Sequence, residues 1–151
     1  MKSIRIALLI GLTALVVSRA WGADTETAKK DMAQLQGEWS MAGGNRDGQA
    51  LPDGMLKNSK RVCKGDETTV VVGGQLLMKA KFMLDPSKKP KTIDYQITGG
   101  SNVGKAQLGI YEFDGDMVRF CFSSPGKDRP ADFTTRAGDF HTSSVWKRDK
   151  K

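Results

Sequence analysis

The sequence is poor in the side chains that do most enzymatic chemistry. It holds a single histidine, His141, and two cysteines, Cys63 and Cys121. One imidazole excludes a multi-histidine zinc site, and two cysteines on separate segments do not replace the missing ligands. Six methionines lie beyond Met1, but they are scattered without a Met-x-Met cluster, so they read as core filling and not as a copper site. The stretch "GGSNVGK" at 99–105 ends in glycine and lysine but lacks the following Ser/Thr and the strand–loop–helix setting of a phosphate loop. No apolar run reaches the roughly 20 residues that a membrane-crossing helix requires. There is also no internal repeat and no linker to a second domain.

The longest apolar run, residues 6–17, follows Lys2 and Arg5 and is ended by Arg19 and Trp21. With small residues at Ala20, Gly22 and Ala23, this reads as an export signal, residues 1–22, cut after Gly22 or after Ala20. The competing reading is an N-terminal core helix. No cysteine lies near the cut, which argues against an acylated lipoprotein. Cleavage after Gly22 leaves 129 residues, enough for one modest core. It also lowers the formal net charge from +7 to +4, which weakens any case for a nucleic-acid partner. The expected location is the periplasm or the exterior. Export permits a disulfide, but Cys63 and Cys121 each alternate with an arginine, Arg61 and Arg119, which places both on an outward face several strands apart. Two free thiols are the favoured state.

Residues 23–36 carry Ala28, Met32 and Leu35 at helical spacing and predict a short lead-in helix stopped at Gly37. From residue 37 to residue 149 the period changes to two. "GEWSMAG", "SKRVCKG", "TTVVVGG", "QLLMKAKFML", "KTIDYQIT", "KAQLGIYEF", "DMVRFCF" and "HTSSVWKR" are eight strand candidates, separated mostly by glycine or proline. Leu76, Met78, Ala80, Phe82 and Leu84 share one face, with Lys79 and Lys81 on the other. Ile93, Tyr95 and Ile97 likewise oppose Asp94, Gln96 and Thr98. One wet and one buried face on sequential antiparallel strands predict an eight-stranded meander barrel, because closure removes exposed edges. In "DPSKKPK", 85–91, Pro86 and Pro90 cannot donate to a ladder, so the lysines belong to a solvated link and not to an anion site.

The hairpin "GIYEFDGDMVRF" has two competing registers. A two-residue loop at Asp114 and Gly115 pairs Ile110 with Arg119 and sets an apolar side chain against a charge. A three-residue loop pairs Ile110 with Phe120 and Leu108 with Phe122, keeps one face apolar, and is preferred. It turns Glu112 inward opposite Val118. An inward carboxylate must be neutral, paired with an arginine, or solvated at the rim; its functional reading is the polar anchor of a ligand.

Several stretches together resemble one family: "LQGEW" at 35–39, "LDPSKKPKTID", "LGIYEFDGD", and "PGKDRPADF" before the terminal "VWKR". They are similar to the exported, lipocalin-like domains of unknown function that are expanded in planctomycete bacteria, over about residues 35–148. Cys63 departs from that pattern, where an apolar residue is expected, and "HTSSV" is more polar than the usual final strand. The resemblance implies a fold and no chemistry. Gly37, Glu38 and Trp39 also resemble the Gly-x-Trp start of lipocalin barrels. That resemblance implies that Trp39 closes one barrel end with an arginine, Arg148 or else Arg136, across its ring.

On these grounds the expected protein is an exported monomeric barrel that binds a small apolar or amphipathic ligand, needs no cofactor and catalyses nothing. Phe82, Tyr95, Phe120 and Phe122 would line its wall, and Glu112 or Arg129 would orient a polar end. Arg129 sits in the proline-rich connection "SSPGKDRPADF". It presents a fork to a ligand or pairs with Asp132 or Glu112 while Phe133 plugs the barrel. The alternatives are a filled barrel serving as a structural or protein-interaction module of the envelope and, third, an enzyme using Glu112 and Arg129.

Overall fold

The computed structural model describes residues 20–150. The export signal expected over residues 1–22 therefore lies almost wholly outside the described residues. A helix α1 (Ala20–Leu35) leads into β1 (Gly37–Arg46). A short return, β2 (Gln49–Ala50), and a one-turn helix α2 (Asp53–Lys57) follow, and neither was expected from the sequence. The remaining strands are β3 (Lys60–Lys64), β4 (Glu67–Val72), β5 (Gln75–Asp85), β6 (Lys91–Gly100), β7 (Ala106–Asp114), β8 (Met117–Ser123) and β9 (His141–Arg148). Among the described residues no helix is long and apolar enough to cross a membrane.

β1 and β3 to β9 pair in chain order, every pair antiparallel, and β9 pairs back onto β1 from Trp39↔Arg148 to Arg46↔Thr142. This is the closed eight-stranded meander barrel that the alternation predicts. Its turns sit where glycine permits them. The β1–β2 turn holds Asp47 and Gly48 at φ 51° and 78°, and the β4–β5 turn holds Gly73 and Gly74 at φ 61° and 79°. Positive φ at both central positions matches the twist of the flanking strands, which is why Asp-Gly and Gly-Gly recur there.

Ile93, Tyr95 and Ile97 are all buried on the inner face, as are Ala80 and Phe82. The link 86–90 between β5 and β6 leaves Lys88 and Lys89 exposed. Lys91, at its end, turns instead to α1, where its Nζ lies 2.8 Å from the buried Asp31 carboxylate. Tyr111 donates its hydroxyl to the same oxygen at 2.7 Å. Two donors offset the cost of burying that charge and tie α1 across one end of the barrel.

The β7–β8 hairpin adopts neither of the two registers expected from the sequence. Its two-residue loop is Gly115 and Asp116, between the paired Asp114 and Met117, so Tyr111 faces Phe120, Phe113 faces Val118, and Glu112 faces Arg119. Glu112 is therefore on the outer surface and not inside: Arg119 Nε donates to its carboxylate at 2.6 Å. Glycine at the first loop position takes φ 58°, a conformation that costs aspartate more. This register leaves an apolar outer patch, Ile110 and Cys121, and both are buried because the connection 124–140 lies over that patch.

Inside the hairpin, Gly109 stands opposite Phe122, and a Cβ there would meet the Phe122 ring at 2.4 Å and the Cys121 carbonyl oxygen at 2.9 Å. Gly109 is thus required for space, not for backbone freedom. Gly109→Ala is expected to lower stability by about 1–3 kcal/mol through overpacking. A urea unfolding midpoint equal to the wild type would refute this placement of Phe122.

Candidate functional site

The two ends of the barrel differ. At one, Leu35 from α1 packs on Trp39, whose indole Nε1 donates to the Leu35 carbonyl at 2.9 Å. Arg148 lies over the Trp39 ring at 4.2 Å and donates through Nη1 to the Gln36 carbonyl at 2.7 Å and through Nη2 to that of Gln34. A cation over an indole contributes about 0.5–2 kcal/mol. Here it also supplies donors to carbonyls left open at the helix C-terminus. Cys63, Tyr111 and Val118 fill the interior behind this seal.

The other half is hollow. A cavity of about 390 Å³ opens at the end formed by the β4–β5 turn, α2 and the segment around Asn102. Met41, Val70, Val72, Met78, Ile97 and Phe122 form its apolar wall, and Leu51 and Met55 bring the β2–α2 excursion against its mouth. The polar final strand contributes Thr142 and Ser144. Leu76 and Leu77 at the rim are about half exposed, at 50% and 51%.

Arg61 lies at the floor. Its alternation with Cys63 predicts an outward side chain, but β3 sits in register with Trp39 opposite Arg61, and the inward Trp39 carries Arg61 inward with it. Arg61 is only 4% exposed. Its Nη1 donates to the Tyr95 hydroxyl at 2.6 Å and to Thr68 Oγ1 at 3.2 Å. Phe120 and Trp146 rings flank the guanidinium carbon at 4.5 and 4.8 Å. Tyr95 in turn stacks on Phe122, centroids 4.3 Å apart. Burial pushes the Tyr95 phenol up in pKa while the adjacent Arg61 pulls the other way, so the hydroxyl stays a neutral acceptor for the cation.

Among the described residues Arg61 forms no ion pair and its buried Nε has no hydrogen-bond partner. The cation–π contacts return about 2 kcal/mol each at most. Burying an ion costs several kcal/mol, and an orphaned N–H about 1–3 kcal/mol more. A guanidinium cannot shed its charge to escape that cost. Arg61 thus departs from the rule that a buried charge has a counter-charge, and such departures are a mark of a functional position.

The structure divides the six residues proposed for ligand binding. Tyr95 and Phe122 line the hollow; Phe120 does not, its ring centroid lying 4.5 Å from the Arg61 guanidinium carbon. Phe82 is buried on the same inner face but does not line the cavity. Glu112 and Arg129 are outside it. Arg129 pairs neither with Asp132 nor with Glu112: its Nη2 lies 2.6 Å from Asp94, and its Nη1 donates to the Gly109 carbonyl at 2.8 Å. Phe133 does not plug the barrel but lies 4.1 Å under Arg119 on the outer surface. A shallow outer groove holds Lys88, Lys89 and Arg129, yet Asp85 and Asp94 line it too, so it offers little excess of positive charge. Arg61 is the functional candidate that the alternation pattern conceals.

The cysteines are both free and buried, Cys63 inside the wall and Cys121 on its outer side under the connection 124–140. Burial raises the Cys121 thiol to about 11, with the Asp139 and Asp132 carboxylates adding to the effect. Little of its thiolate forms near neutrality, so Cys121 does not suit a nucleophile's role. No family model matches the chain, and no curated protein or solved structure is significantly similar to it.

Because Cys121 is protonated more firmly in the fold than in the open chain, folding stability should fall as pH rises from about 9 toward 11. At pH 8, iodoacetamide should label neither thiol in the native protein within the time that it labels both in urea. Fast native labelling of Cys121 would contradict the cover by residues 124–140.

Proposed function

We propose that this protein is an exported, single-domain β-barrel that binds a small apolar or amphipathic molecule in its open half and does no chemistry on it. The observation that carries this reading is the hollow itself: about 390 Å³, apolar-walled, open at one end and sealed at the other by Trp39, Arg148 and α1. Ligand sites of roughly 300–1,000 Å³ with mostly apolar walls and a few convergent polar groups are the usual form of small-molecule sites. The division of the barrel explains how it can do this while remaining stable, since the sealed half carries the packed core. Resemblance to the exported lipocalin-like family and the N-terminal signal pattern support a location outside the cytoplasm. An enzymatic role for Glu112 and Arg129 has little to support it, because each is committed to a separate ion pair on the outer wall.

Native mass spectrometry of protein purified from its own host should show a copurifying small molecule, and the emptied protein should take up Nile red saturably. Val72→Trp, which places an indole in the mouth from a half-buried position, should weaken Nile red binding at least about ten-fold with an unchanged circular-dichroism spectrum. An empty mass spectrum together with no Nile red uptake would overturn the binding reading.

A further inference from the structure

The residues that line the hollow include two cations, Arg46 at the exposed rim and Arg61 at the floor, and no carboxylate among the described residues. Such a site lacks the charge that would satisfy it. We infer that the molecule held there is a singly charged amphiphile whose carboxylate docks on Arg61 and whose apolar chain runs toward the mouth, an inference that rests on the binding reading above.

The charge of Arg61 and its one open end specify the head group. Both of its hydrogen bonds leave from Nη1, to Tyr95 and Thr68, so the edge made by Nε and Nη2 has no protein acceptor among the described residues. Nε–H is enclosed, so the N–H groups that a ligand oxygen meets are those of Nη2, a charge-assisted contact to one carboxylate oxygen. Phe120 and Trp146 against the guanidinium, with Tyr95 and Thr68 on Nη1, hold it in place before a ligand arrives. One buried cation offsets one negative charge. A phosphomonoester dianion on Arg61 would bring a second charge into the same apolar surroundings, with Arg46 out at the exposed rim. Met41, Val70, Val72, Met78 and Ile97 form an apolar wall that suits an alkyl chain, beside the neutral polar side chains of Gln107, Thr142 and Ser144. A neutral alcohol would fill the same space but leave the guanidinium edge without a counter-charge.

Displacement of Nile red from the lipid-stripped protein by four amphiphiles of one chain length tests this. Dodecanoate should displace it at a concentration at least about ten-fold below dodecanol, with dodecyl phosphate weaker than dodecanoate and dodecylammonium weakest. In Arg61→Met, which removes the charge and keeps a shorter unbranched side chain, the preference for dodecanoate over dodecanol should disappear. Loss of that preference with an unchanged circular-dichroism spectrum separates a ligand-docking role from a purely structural one. Should Arg61→Met fail to fold, it counts against the inference, and the wild-type ranking is a second, independent test. Equal potency of dodecanoate and dodecanol, or tighter binding of dodecyl phosphate, would overturn the carboxylate assignment and leave the binding reading standing. Absence of Nile red uptake would instead remove the binding reading, and this inference with it.

Discussion

The pairing of β9 with β1 leaves the sheet without a free edge around the barrel, and it encloses a volume that inward side chains must either fill or leave empty. Closure of this kind ties each strand's register to every other, since a one-residue slip anywhere would exchange the inner and outer sets. The seal by Trp39 and Arg148 sits at that seam, where the paired residues Trp39 and Arg148 belong to the two strands that close the circle. The same register that seats Trp39 inside places its β3 partner, Arg61, inside as well. The structural cap and the buried cation are thus consequences of one alignment.

That alignment separates two tasks along the barrel axis. Toward α1 the interior is solid, with Leu35, Trp39, Tyr111 and Val118 among the most deeply buried side chains. Toward the mouth the side chains recede and leave the hollow. Arg61 lies where the two regions meet, held by Tyr95 and Thr68 with the Phe120 and Trp146 rings against its guanidinium. The packed half contributes the stability that lets the protein carry an unsatisfied charge at the boundary, a pattern found where function overrides local preference.

Much of the architecture is legible in the chain. Glycine and proline mark the strand ends, and alternation places Ile93, Tyr95 and Ile97 on the inner wall, because a half-buried strand cannot hide its period. The hairpin register is not legible, for a specific reason. The preferred register assumes that Ile110 must face inward, whereas the connection 124–140 covers it from outside. Pairing Glu112 with Arg119 on the wet face is the available clue, and it requires a Gly-Asp loop in place of the Asp-Gly and three-residue loops. Arg61 is hidden by the rule that charges face water. Yet "KRVCK" carries cations at both alternating positions, so one set has to turn inward, and Trp39 decides which. The α2 turn and β2 carry too few residues for periodicity to show.

Site and ligand class both depend on a guanidinium enclosed by the barrel, with one N–H facing no partner. Arginine Nε–H proton exchange followed by ¹⁵N NMR reads this directly, with Arg61→Met assigning the signal. One Nε–H resonance, lost in that variant, should persist at a pH where those of the exposed arginines have exchanged away. If the Arg61 Nε–H exchanges as fast as the others, the side chain is in water, and the buried cation, the hollow above it and the ligand class drawn from them are all contradicted.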